Sequence, residues 1–267
     1  MAVLTDGGWG TELQTLGLRF DECPDSWNIF QPSKVAQVAH SYVEAGSQII
    51  LTNTFRANRI SLAEFGLADR VVEINRSGAA TSSRAATSSR AATVRERLVF
   101  GSIGPIGKLA TLEAYSEQAR ALAEGGVDAL VLETMTNIEE ATIALRAAQT
   151  TGLPVIVSFV IGVNLERAAS IMEAEGAFAI GANCGNGIES FLPICTRLRA
   201  ATKLPVWIKA NAGLPEIVNG KAIYKTTPDE FASQVISLIG AGANFVGGCC
   251  GTTPAFIRAA AERLKSI

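Results

Sequence analysis

The strongest constraint on this chain is a rhythm. Eight short apolar runs rich in Val and Ile recur along its 267 residues, at 3–8, 48–55, 98–104, 129–135, 154–160, 178–184, 205–213 and 245–251. The runs are apolar throughout rather than alternating, as parallel strands covered on both faces must be. Helical patterns separate them, such as 32–46 and 227–242, each with a polar start and a glycine stop. Eight strand–helix units predict a (β/α)8 TIM barrel, with residues 1–267 as a single domain. A doubly wound open sheet is the alternative, but no dinucleotide fingerprint follows the first run. Within the second helical stretch, residues 79–93 repeat a six-residue Ala-Ser-Arg unit, which reads as a local duplication on a solvated face.

Composition narrows the partners. A net charge of −2 gives no grip on nucleic acid or an anionic membrane, and the apolar runs are far shorter than a membrane span. The stretch "MAVLTDGGWG" does not have the form of a secretion signal. Five cysteines without such a signal argue against a disulfide framework, so reduced thiols in the cytoplasm are expected.

The ends of the runs carry polar residues. In a barrel they would share one mouth. They are Asp6, Asn53 with Thr54, Ser102, Glu133, Asn183 with Cys184, Asn211, and Cys249 with Cys250. Helix caps and loop backbone also use such residues, and for Asn53, Thr54, Ser102 and Asn211 that reading is equally good. A carboxylate after an apolar run needs a partner, which favours a site role for Asp6 and Glu133. Cys184 closes the sixth run, while Cys249 and Cys250 close the eighth. Side chains from strands about 10 Å apart can converge on one ion with bonds of about 2.3 Å. Adjacent strand residues face opposite ways, so the pair must leave regular strand geometry; Gly247, Gly248 and Gly251 supply that freedom. Buried structural cysteines or a redox pair fit the same pattern. Cys23 and Cys195 read as plain, and the single histidine, His40, falls in a helix away from the mouth. A Ser–His or His-ligated hydrolytic centre is therefore not expected. A three-thiolate Zn2+ site suits another chemistry: binding a thiol substrate as thiolate for alkylation.

The stretches "DGGWGTELQ" (6–14), "EAGSQIILTNTFRANR" (44–59), "GSIGP" (101–105), "GANCGNG" (181–187), "IKANAGLP" (208–215) and "GGCCGTTP" (247–254) occur in this order along nearly the whole chain. Together they resemble the homocysteine S-methyltransferases, the zinc-dependent barrels that include betaine–homocysteine methyltransferase and the homocysteine domain of cobalamin-dependent methionine synthase. The resemblance implies Zn2+ held by Cys184, Cys249 and Cys250, the homocysteine amino group held by Asp6 and Glu133, and Asn53 and Ser102 among the substrate-binding residues. It implies methyl transfer giving methionine, with a small onium donor such as betaine or S-methylmethionine. A separate methylated corrinoid protein as donor, or a zinc- and thiol-binding barrel without turnover, are the alternatives. The segments after runs three and five are shorter than the resemblance leads one to expect.

Overall fold

The computed structural model describes residues 2–87, 97–218 and 221–266. Eight parallel strands form one sheet: β1 (Val3–Leu4), β2 (Ile49–Leu51), β3 (Leu98–Ile103), β4 (Ala129–Met135), β5 (Val155–Phe159), β6 (Ala179–Asn183), β7 (Val206–Ala210) and β10 (Phe245–Gly248). A two-stranded antiparallel hairpin, β8 (Glu216–Val218) and β9 (Lys221–Ile223), is inserted after β7. The order β1-β10-β7-β6-β5-β4-β3-β2 brings the first two strands together at the seam of a nearly closed barrel. Side chains complete that seam. Gln48 donates its backbone N–H to the Leu4 carbonyl at 2.8 Å and accepts the Leu4 N–H on its side-chain oxygen at 3.0 Å. The Asp6 carboxylate accepts the Leu51 N–H at 2.7 Å. This explains why β1 has only two ladder residues, although the whole run 3–8 read as a strand: beyond Leu4 the chain turns to deliver Asp6 across the seam.

Register decides which residues reach the mouth. Ile49, Leu51, Phe100, Ala129, Val131, Ile156, Ala179 and Trp207 form the packed barrel interior, with Trp207 stacked on Phe100 at 6.1 Å between ring centroids. The intervening strand residues, among them Ile50, Leu130, Ile180 and Ile208, face the helix layer. Side chains alternate along a strand. Counting two residues onward from the interior set therefore points Ser102, Glu133 and Lys209 into the barrel at its carboxyl end.

The covering helices end as their sequences dictate. Pro32–Ala45 stops at Gly46, whose φ of 106° is left-handed. Pro228–Gly240 begins with a capping box in which Thr227 and Glu230 satisfy each other's backbone N–H. The repeat at 79–93 starts inside the helix Val71–Thr87; its remainder lies outside the described residues. Among the described residues, no helix is long and apolar enough to cross a membrane.

Candidate metal and thiol site

At the carboxyl end of the barrel a cavity of about 400 Å3 opens, lined among others by Trp9, Glu133, Lys209 and the three mouth cysteines. The cysteines are set by backbone bonds radiating from β7. Cys184 donates its N–H to the Lys209 carbonyl at 3.1 Å, Cys249 to the Ala210 carbonyl at 2.8 Å, and Cys250 to the Asn211 side-chain oxygen at 3.0 Å. Asn211 donates its own amide to the Gly185 carbonyl at 2.7 Å, tying the two cysteine-bearing loops together. Cys184 is held at a left-handed φ of 61°, as is Thr134 at 63°. Asn183 touches both: it accepts the Thr134 N–H at 2.9 Å, donates to the Thr134 hydroxyl at 2.8 Å, and donates to the Cys184 sulfur at 3.6 Å. A non-glycine residue in this region costs of order 1–3 kcal/mol. The network over-determines the turn that brings the Cys184 sulfur inward.

The result is convergence. The sulfurs of Cys184 and Cys249 are 3.1 Å apart, and all three lie within 4.8 Å of one another. Sulfurs bound to one tetrahedral ion at about 2.3 Å would be separated by about 3.8 Å, within that spread. A disulfide would need about 2.05 Å. The thiols polarise each other. Hydrogen bonds from Cys184 and Cys249 hold Cys250 down at about 3, while the same contacts, with burial, push Cys184 far up. Three convergent thiols make a donor set that fits Zn2+.

The glycines of "GGCCG" do different work from that expected. Only Gly251 needs its freedom, with φ at 79°. Gly247 and Gly248 stay in β10, where a Cβ would come within 1.9 Å of the Thr5 hydroxyl and 2.1 Å of the Thr252 hydroxyl. They are required for close approach, not for turning.

Glu133 lies at the cavity wall, and the Ser102 hydroxyl donates to one of its oxygens. Burial raises its pKa to about 7, against the opposing pull of Lys209. Asp6 sits deeper than Glu133. It is fully buried and, among the described residues, does not line the cavity. One oxygen accepts from the Trp9 indole N–H and the Leu51 N–H, both at 2.7 Å; the other is ion-paired with Lys209. Lys209, its side chain 2% exposed, stands in the cavity lining in its place. Burial works against its charge, but Asp6 and Glu133 more than offset that and raise its pKa. Asn53 lines the cavity, yet its amide donates to the Pro24 carbonyl at 2.8 Å and to Asn28 at 3.3 Å, so it braces a loop. Thr54 is turned to the Ser102 carbonyl at 2.8 Å. Cys23 and Cys195 are buried apart from the cluster.

Lys209 and Trp9 escaped the sequence reading. The signal for Lys209 was present: a charged residue ending an apolar run, the same signal that singled out Asp6 and Glu133.

Fold and site together define a (β/α)8 barrel with a cluster of three cysteines, at metal-ligand spacing, at the carboxyl ends of its strands. The family model described as homocysteine S-methyltransferase matches residues 3–264, and the chain belongs to that family. It is 32% identical over 292 aligned positions to methionine synthase of Mycobacterium tuberculosis (strain ATCC 25618 / H37Rv), covering 98% of this chain and 24% of that protein. Likeness to the Mycobacterium leprae (strain TN) methionine synthase is also 32%, over 95% of this chain and 23% of the other. The chain thus spans about a quarter of the length of these relatives. The fold matches the metallated form of the homocysteine methyltransferase MmuM from Escherichia coli with a TM-score of 0.80 at 24% identity, over 98% of this chain and 96% of that one.

Proposed function

We propose that this chain binds Zn2+ through Cys184, Cys249 and Cys250 and transfers a methyl group to the thiol of homocysteine, giving methionine. The observation that carries the reading is the convergence of three sulfurs from two separated strand ends on the wall of one cavity. Family membership and the fold shared with a metallated homocysteine methyltransferase support it. When bound, zinc supplies a Lewis acid that lowers the pKa of an incoming thiol and keeps its sulfur nucleophilic.

The chain's own residues do the rest. Glu133, steadied by the Ser102 hydroxyl, and Lys209, backed by Asp6, set the charge of the cavity wall beside the acceptor. Trp9 and Phe55 wall the cavity and limit water around the reacting sulfur. In the transfer the carbon–heteroatom bond of the donor breaks as the carbon–sulfur bond forms, and the acceptor's thiol proton leaves to solvent.

The donor is a small onium compound, betaine or S-methylmethionine, which a cavity of about 400 Å3 can hold beside the acceptor. The likeness to methionine synthases favours a second reading, methyl delivery from a separate corrinoid protein. Five unpaired cysteines support a cytoplasmic setting. The test is to incubate zinc-loaded protein with homocysteine and each donor in turn and assay methionine. Formation with one donor and its loss in Cys184→Ser is expected. Zinc-loaded protein that binds thiol but yields no product with any donor would leave a binding barrel instead.

A further inference from the structure

Lys209 raises a question that the three cysteines do not answer. Its direction is fixed by register. Trp207 points into the barrel core, so Lys209, two residues on along β7, points the same way at the level of the cavity. There its ammonium donates to Asp6 and feels the charge of Glu133. An ammonium this deeply buried is retained only with anionic partners. Its partners are the carboxylates of Asp6, just after β1, and of Glu133, near the carboxyl end of β4, and Glu133 lines the same cavity as the three cysteines.

An amino-acid thiol bound at the cysteines carries an ammonium of its own, a few bonds from its sulfur. That group needs the same two carboxylates. Asp6, however, is fully engaged: one oxygen holds Lys209 and the other takes the Trp9 indole and the Leu51 N–H. Lys209 also stands between Asp6 and the cavity, since it lines the wall while Asp6 is buried. A second cation brought to Glu133 would lie beside the first.

We propose that Lys209 is a resident cation that takes over the part of the acceptor's ammonium, so that acceptor recognition does not depend on an amino group and the pocket takes ω-mercapto carboxylic acids at least as well as homocysteine. The inference rests on the thiol-acceptor reading above. It keeps that chemistry and sets the class of thiol.

The test is binding to the Co2+-loaded protein, followed by the thiolate-to-cobalt absorption that appears as an added sulfur joins the ion. Homocysteine and 4-mercaptobutanoate, which differ only in the amino group, are titrated in parallel. The native protein is expected to bind 4-mercaptobutanoate with a Kd equal to or lower than that for homocysteine. In Lys209→Met the vacated carboxylates become available, and homocysteine is expected to gain at least tenfold relative to 4-mercaptobutanoate. A tenfold or greater preference of the native protein for homocysteine overturns the proposal, as does an unchanged ratio in the folded variant. Should the variant not fold, the native comparison decides alone. If neither thiol alters the cobalt spectrum, the thiol-acceptor reading fails and this inference falls with it; a homocysteine-selective response overturns only the inference.

Discussion

Replacing Asp6 by Asn isolates the electrostatic keystone of the barrel mouth. The carboxylate holds Lys209, Trp9 and the Leu51 N–H at once, and both it and the lysine are almost wholly out of water. Asn keeps the shape and one acceptor oxygen but removes the charge. The Lys209 ammonium would then stay buried with Glu133 as its remaining named anionic neighbour. Breaking one side of a buried pair typically costs 3–5 kcal/mol, while the retained acceptor recovers about 1 kcal/mol, so a loss of roughly 3 kcal/mol is expected. For a chain of this size, each kcal/mol moves Tm by about 2–4 °C, which makes the expected drop about 6–12 °C. Calorimetry and urea unfolding of the metal-free protein measure it. The sharper readout is a double-mutant cycle. In Asp6→Asn with Lys209→Met, the uncompensated charge is gone, and the double variant should be more stable than the two single losses added together predict, by about 2 kcal/mol. Additive losses, or an Asp6→Asn cost below about 1 kcal/mol, would refute the reasoning that this pair is a coupled buried unit.

Three further outcomes are expected. Asp25 is buried and its pKa is raised by burial to about 6 from 3.8, so its stabilising share is complete below about pH 4 and lost as pH rises past 6. Asp25→Asn should therefore gain about 2.5 kcal/mol relative to the native protein between pH 4 and pH 7.5, read by urea unfolding at the two pH values; a constant difference would contradict this. Gly251→Ala would place a Cβ within 2.4 Å of the Tyr224 ring at a left-handed φ. It should cost about 1–3 kcal/mol in thermal unfolding and loosen metal binding through its neighbour Cys250. Glu140 accepts the N–H groups of Ile106 and Gly107 at 2.6 and 2.7 Å and the Tyr115 hydroxyl at 2.7 Å. Glu140→Ala should leave the Gly107 N–H and the Tyr115 hydroxyl without this acceptor, and the Ile106 N–H with only the Tyr115 oxygen at 3.2 Å, and raise hydrogen exchange in the segment after β3, with a stability loss of about 2–4 kcal/mol.

The barrel was legible because a strand covered on both faces has to be apolar along its whole length, and β3 to β7 follow their runs to within a few residues. Boundaries failed where side chains replace ladder bonds: β1 stops at Leu4 because Asp6 takes over the seam. The hairpin at Glu216–Ile223 was missed although its central Asn-Gly dipeptide is a strong turn signal. The strand β7 ends at Ala210, short of the 205–213 run, and leaves the following residues for the insertion. At the site, residue type and strand-end position singled out the three cysteines, whose sulfurs the fold brings together, and Glu133, which lines the same cavity. They do not tell a carboxylate lining the cavity, Glu133, from one buried against a lysine, Asp6. That distinction depends on the inward register of β7, and an uninterrupted apolar strand conceals its own two faces.

The central claim is that three cysteines from two loops form one metal centre whose last position takes a thiol. Zinc-edge X-ray absorption on the reduced, zinc-loaded protein tests it most directly. One zinc per chain is expected, with three sulfur ligands at about 2.3 Å, and a fourth sulfur when homocysteine is added. Protein that retains no zinc, or a sulfur count that does not change on adding thiol, would contradict the account.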